Sequence, residues 1–126
     1  MYTHICLSAQ DLGQSKTFYD AALTPLGVHS VGQVNDRTCV YATETGKLLV
    51  MIPADGNEAT HANGGTIGFQ APDEAAVDAF HAAGLANGGS DEGAPGIREM
   101  APGAPYGAYL RDPVGNKICA FAPPRG

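Results

Sequence analysis

Positive charge is scarce in this chain. Seven lysines and arginines are spread through 126 residues against thirteen acidic ones, for a net charge of −6. No basic patch is available to neutralise phosphates, which argues against a nucleic-acid partner. The same scarcity gives no anchor on an anionic membrane surface, and no apolar run approaches the roughly 20 residues of a membrane-spanning helix. The opening MYTHICLSAQD has neither a basic start nor a cleavage site, so no secretory signal is expected. Cysteine is sparse too: three residues, an odd number, with no CxxC pair. Reduced thiols in a cytosol fit that pattern better than a disulfide framework. Nor is there a GxxxxGK[ST] phosphate loop, or a GxGxxG opening a helix after a strand. What remains is an acidic, cytoplasmic protein with neither a nucleic-acid nor a membrane partner.

Glycine and proline, by contrast, are plentiful, at 17 and 9 residues. They point to many turns and short connections. With 44% hydrophobic residues, the chain is expected to be a single domain, 1–126, able to bury a core without staples.

The chain also repeats itself. His4–Gly27 reads HICLSAQDLGQSKTFYDAALTPLG, and Thr66–Gly89 reads TIGFQAPDEAAVDAFHAAGLANGG. Seven of the 24 positions are identical without a gap: Ile5/Ile67, Ala9/Ala71, Asp11/Asp73, Phe18/Phe80, Ala21/Ala83, Leu23/Leu85 and Gly27/Gly89. A duplication explains this. Each copy starts with a short β-type run, at Tyr2–Ser8 and Thr66–Gln70. An aspartate then stands where a helix cap belongs. Apolar residues at helical spacing follow, Leu12, Tyr19, Ala22 and Leu26 in one copy, Val77, Phe80 and Ala83 in the other. Strands are expected at Val28–Val34, Thr38–Thr43 and Lys47–Ile52, then at Ile97–Met100, Tyr106–Arg111 and Lys117–Phe121. Asp55–Gly64 and Ser90–Pro95 read as loops. The expected class is α+β: two βαβββ modules, about 1–60 and 61–126.

The opening strand with His4, the paired modules, and the closing YGAYLRDPVGNKI of Tyr106–Ile118 together resemble the vicinal oxygen chelate superfamily. That group includes glyoxalase I, bleomycin-resistance proteins, extradiol dioxygenases and fosfomycin-resistance enzymes. The resemblance implies a curved mixed sheet around a cleft, a small-molecule ligand and a homodimer. In metal-using members, four strands each offer one His or Glu to a divalent ion, which two substrate oxygens then chelate. Carried over, those positions fall on His4, Thr66, Cys119 and either Val50 or Met51; matching GKLLV to GNKIC favours Val50. Only His4 and Cys119 are metal-binding types, and a stable zinc site wants three or four protein ligands. Two cofactor expectations stay open: none, or one divalent ion (zinc, nickel or iron). Two functions stay open with them. One is a metal-free binder of a small molecule. The other is a lyase or isomerase of the glyoxalase I type, or a dioxygenase, with a site rebuilt on His4 and Cys119.

Alternation places His4, Cys6 and Ser8 on one face of the first strand, and Lys117, Cys119 and Phe121 on one face of the last. The expected cleft residues are His4, Cys6, Thr66, Tyr106, Tyr109 and Cys119. Tyr106 and Tyr109 take opposite faces of their strand, so only one of them can face the cleft. If His4 neighbours Cys119, the imidazole can lower the thiol's pKa and make a nucleophile. The alternative is a thiol that fills space, the reading that also suits Cys6 and Cys39. His61 is read as a solvated loop residue, His81 as helix surface, and Arg111 as a partner of Asp112 or solvent. Arg98 and Glu99 receive no assignment.

Overall fold

The computed structural model describes residues 1–124. Its elements run β1 (His4–Ser8), α1 (Leu12–Leu23), β2 (His29–Asn35), β3 (Thr38–Thr43), β4 (Gly46–Met51), β5 (Thr66–Gln70), α2 (Glu74–Ala86), β6 (Ser90–Ile97), β7 (Tyr106–Arg111) and β8 (Lys117–Phe121). This is the βαβββ order twice over, as the repeat implied. Each module makes its own four-stranded mixed sheet, ordered β1-β4-β3-β2 and β5-β8-β7-β6. In both, the first strand runs parallel to the last and the other pairs are antiparallel.

Four of the seven identical pairs of the repeat do matching jobs; Leu23 and Leu85 do not, the first being buried and the second exposed. Asp11 caps α1 by accepting from the Gln14 N–H at 3.0 Å, and Asp73 caps α2 by accepting from the Ala76 N–H at 2.8 Å. Phe18 and Phe80 are fully buried, and Ala9 and Ala71 are buried beside them. Ile5 and Ile67 pack from β1 and β5 onto the same apolar cluster. Gly27 ends the first helical segment in a left-handed conformation, φ 78°, which a residue without Cβ adopts freely.

One expected boundary was wrong. Ser90–Pro95, read as loop, is most of β6, while Arg98–Met100, read as strand, lies beyond it. Three features hide this strand: Gly93, Pro95 and Gly96 all lie within it. It is an edge strand paired only with β7, and its register slips between Gly93 and Gly96. Proline is tolerated at such an edge irregularity because no ladder N–H is required there. Tertiary pairing overrides the local propensity.

The modules are joined by buried polar contacts as well as apolar ones. Asp112, 4% exposed, opens the turn before β8. Its Oδ1 accepts from the N–H groups of Val114, Gly115 and Asn116, and its Oδ2 accepts from Asn116 Nδ2 and from the Tyr19 hydroxyl. Asn116 Nδ2 also donates to the Ser8 carbonyl at the end of β1. The turn is therefore a clamp between modules. Arg111 does not pair with Asp112 as expected; it binds Glu92 through Nε at 3.1 Å and Nη2 at 3.2 Å.

Candidate functional site on the open sheet faces

Each sheet has one face against the helices and one open face. On β1 and β4, Ile5, Leu7, Leu48 and Val50 belong to the helix-side core. His4, Cys6 and Ser8 therefore share the open face with Lys47, Leu49 and Met51, which stand opposite them in the β1–β4 pairing. The pairing also corrects the ligand position expected on β4. His4 lies opposite Lys47, and Thr66 lies opposite Lys117. Cys119 of β8 thus corresponds to Leu49 of β4, and Val50, fully buried in the core, is excluded.

On the second sheet the core takes Ile67, Phe69, Ala108, Leu110, Ile118 and Ala120. Thr66, Gly68, Gly107, Tyr109, Arg111, Lys117, Cys119 and Phe121 then fall on the open face. Tyr109 pairs with Cys119 on β8 and with Gly93 on β6. Tyr106 goes the other way. It packs against the core, and its hydroxyl donates to Asp78 on α2. Tyr106 is therefore not a cleft residue, because its place in the alternation is that of Ala108 and Leu110.

Glycine shapes this open face. A Cβ on Gly107 would meet the Phe121 ring at 2.4 Å, and one on Gly68 would meet Cys119 Sγ at 3.3 Å. The ring of Phe121 lies over the bare backbone of β7, edge-on to Tyr109 with centroids 5.8 Å apart. Two cations gather at the same tyrosine. The Arg98 guanidinium lies 5.5 Å from its ring centroid and the Lys117 ammonium 5.1 Å. Arg98 was unassignable from sequence because it lies past the end of β6. It is held there by donating to the carbonyls of Ala94 and Gly96.

Cys119 sits among these groups and is only 5% exposed. Burial pushes its thiol up to about 11, although Lys117 and Arg98 pull it down. His4 is not among the groups acting on it; the His4 Nδ1 lies 2.9 Å from Thr3 Oγ1. The lowered thiol pKa expected of a His4–Cys119 pair is thus reversed in sign, since desolvation outweighs the nearby cations. Cys39 is buried as expected, whereas Cys6 is exposed on the open face. His81, read as helix surface, is 8% exposed, with Nε2 2.8 Å from Asp91 on β6. His61 is exposed, and its ring stands against Gly115.

The residues present do not fit a four-ligand metal site. His4, Leu49, Thr66 and Cys119 occupy the four positions, providing one imidazole and one thiol held protonated by burial. Among the described residues, no group of three or more His, Cys, Asp or Glu side chains comes together to hold an ion. A groove of about 430 Å³ is lined by residues of both modules, among them His4, Ile5, Tyr41, Leu48, Gly68 and Phe69. Most of its wall is apolar. No helix among the described residues is long and apolar enough to cross a membrane.

The family model described as "Glyoxalase/Bleomycin resistance protein/Dioxygenase superfamily" matches residues 2–120. Among solved structures, a glyoxalase/bleomycin resistance protein from Albidiferax ferrireducens T118 is 46% identical with a TM-score of 0.89, over 98% of this chain and 99% of that one. A glyoxalase-related enzyme from Fulvimarina pelagi aligns at 19% identity and TM-score 0.77, over 98% of this chain and 88% of that one. A lactoylglutathione lyase from Agrobacterium tumefaciens aligns at 23% identity and TM-score 0.63, over 97% and 92% respectively. At those identities the last two show a shared fold alone. A search of curated proteins gave no match.

Proposed function

The chain belongs to the glyoxalase/bleomycin resistance protein/dioxygenase superfamily, and we propose that it binds a small organic molecule on its open sheet faces without the four-ligand metal site. The observation that carries this reading is the filling of the four ligand positions. Leucine at 49 and threonine at 66 offer no usual ligand for a divalent ion, and the thiol at 119 is buried and protonated. Lewis-acid activation of a chelated substrate needs several donors that hold the ion while leaving positions open. What the face does offer suits binding: two aromatic rings and two cations, with glycines beneath them that let these side chains lie close to the sheet. The ligand cleft in this reading consists of His4, Cys6, Thr66, Tyr109 and Cys119, joined by Arg98, Lys117 and Phe121. A homodimer, in which a second copy helps cover the open faces, belongs to the same proposal.

The test is binding in excess chelator. A library of small aromatic and heterocyclic compounds is screened against isotope-labelled protein in EDTA, following backbone amide shifts. Binding that perturbs Tyr109, Cys119 and Gly68 without added metal is expected. Binding that appears only when zinc, nickel or iron is added would refute the metal-free reading.

A further inference from the structure

The charge on the second sheet's open face runs against the rest of the chain. The protein carries −6 overall, yet Arg98, Lys117 and Arg111 gather at this face, where the carboxylate ion-paired with one of them is that of Glu92. That carboxylate is engaged by Arg111 at two points. Lys117 acts on Glu92 only at longer range, as a weaker influence than Arg111. Arg98 makes no direct ion pair among the described residues, and Asp91 feels its charge only as the weakest of several influences; its guanidinium donates to backbone carbonyls and lies by the Tyr109 ring. Lys117 likewise has no ion pair there and lies by the same ring. The charge of each is felt at Cys119, where both pull the thiol pKa down against the larger effect of burial. Two half-buried cations are thus held beside one aromatic ring, and the protein's own carboxylates act on them only as weak, longer-range influences.

Resting on the small-molecule reading above, we propose that the ligand is a flat organic anion, an aromatic or heteroaromatic carboxylate in chemistry. Its charged group lies between Arg98 and Lys117, and its ring lies against Tyr109 and Phe121. A planar guanidinium receives a carboxylate through two parallel N–H donors, and Lys117 adds a point charge. The edge-on pair of Tyr109 and Phe121 gives the ring of such a ligand aromatic surface to pack on. Glycines at 68, 93 and 107 let Cys119, Arg98 with Tyr109, and Phe121 respectively lie close against the strand backbones, which sets the positions of these groups. A neutral ligand of the same shape would leave the two cations partly desolvated and unpaired, which is the source of discrimination.

The test uses two probes of one shape and different charge, 2-naphthoate and 2-naphthamide. Each is titrated into the intact labelled protein in EDTA, following amide shifts. 2-Naphthoate is expected to bind tighter by about tenfold or more, the equivalent of one charge-assisted contact. Shifts should centre on Gly93, Tyr109 and Cys119, and added salt should weaken the carboxylate alone. Lys117→Met removes no hydrogen bond and should erase about three- to tenfold of the preference. Arg98→Gln should erase a similar share, and the double variant should bind both probes alike. Equal binding of the two probes by the wild type overturns the proposal while leaving metal-free binding standing. Shifts confined to other surfaces, or no binding of either probe, also overturn it. A preference for the carboxylate that survives in Lys117→Met and Arg98→Gln would place the anion elsewhere and overturn it equally.

Discussion

Tyr19 on α1 donates its phenol proton to Asp112 at 2.6 Å, across 93 positions of sequence and between the two modules. Both groups are buried. The same carboxylate organises the turn before β8, so the helix of module one helps set the strand that carries Cys119. Tyr19→Phe keeps the ring but removes the donor from a buried carboxylate. Asp112 Oδ2 keeps its Asn116 donor, so the expected loss is that of one hydrogen bond to a charged group, about 1.5–3 kcal/mol. Denaturant midpoints at constant slope measure it. A neutral result would show that the clamp does not hold the modules together.

Alkaline pH should destabilise the protein in a defined direction. Tyr19 and Tyr41 both have phenol pKa values raised in the fold, first by burial and then by Asp112 and Asp20 respectively. Burial likewise raises the thiols of Cys39 and Cys119. Groups with raised folded values bind more protons folded than unfolded, so stability is complete below their ordinary values. It then falls as pH rises, starting near the ordinary thiol value of 9.0 and steepening above the phenol value of 10.0. Urea midpoints through this range should decline, and the decline should be shallower in Tyr41→Phe.

The three thiols should separate by reactivity. Near pH 8, a thiol with a pKa of about 11 is thiolate only on the order of one part in a thousand. Cys119 and buried Cys39 should therefore resist iodoacetamide in the native state, while exposed Cys6 is modified. Peptide mass spectrometry reads the sites directly. Rapid native alkylation of Cys119 would contradict its burial and its protonated state.

Glycine at 107 should be irreplaceable where glycine at 46 is not. A Cβ at 107 lands 2.4–2.7 Å from the Phe121 ring atoms, whereas at 46 the nearest atom is 3.8 Å away. Neither residue has a left-handed backbone, so the contrast isolates packing. Gly107→Ala should cost about 1–3 kcal/mol and alter the near-ultraviolet circular dichroism of the Tyr109–Phe121 pair. Gly46→Ala should be close to neutral.

The repeat makes the helix caps comparable. Asp11→Ala and Asp73→Ala each remove one side-chain acceptor from a helix N-terminus. Each should lower stability by about 1 kcal/mol, and the double variant should show nearly the sum, as distant sites do. Thermal denaturation of the three variants checks this.

The fold was largely legible because its signals are local. Asp11 and Asp73, the apolar helix faces and the Asp112–Gly115 turn each specify their own few residues. The repeat then supplied the architecture that single elements cannot. The site was less legible, for reasons that differ by residue. Alternation placed Cys119, Lys117 and Phe121 correctly together, but could not choose between Tyr106 and Tyr109 without knowing which face the helices cover. Matching GKLLV to GNKIC was one residue out, because aligning the turn glycines ignores how β4 and β8 pair with β1 and β5. Arg98 depended on the chain beyond an irregular edge strand, and His81 on a partner, Asp91, in a strand read as loop. In each case the missing information was tertiary.

Metal content decides most directly whether this chain binds without the chelate chemistry of its superfamily. The protein is purified without affinity tag or chelator, and wild type and His4→Ala are compared by elemental analysis and by melting temperature with added zinc, nickel or iron. The account predicts metal far below one equivalent in both and no rise in melting temperature. Near-stoichiometric metal in the wild type, lost in His4→Ala, would contradict it and make Cys119 a thiolate ligand of a rebuilt site.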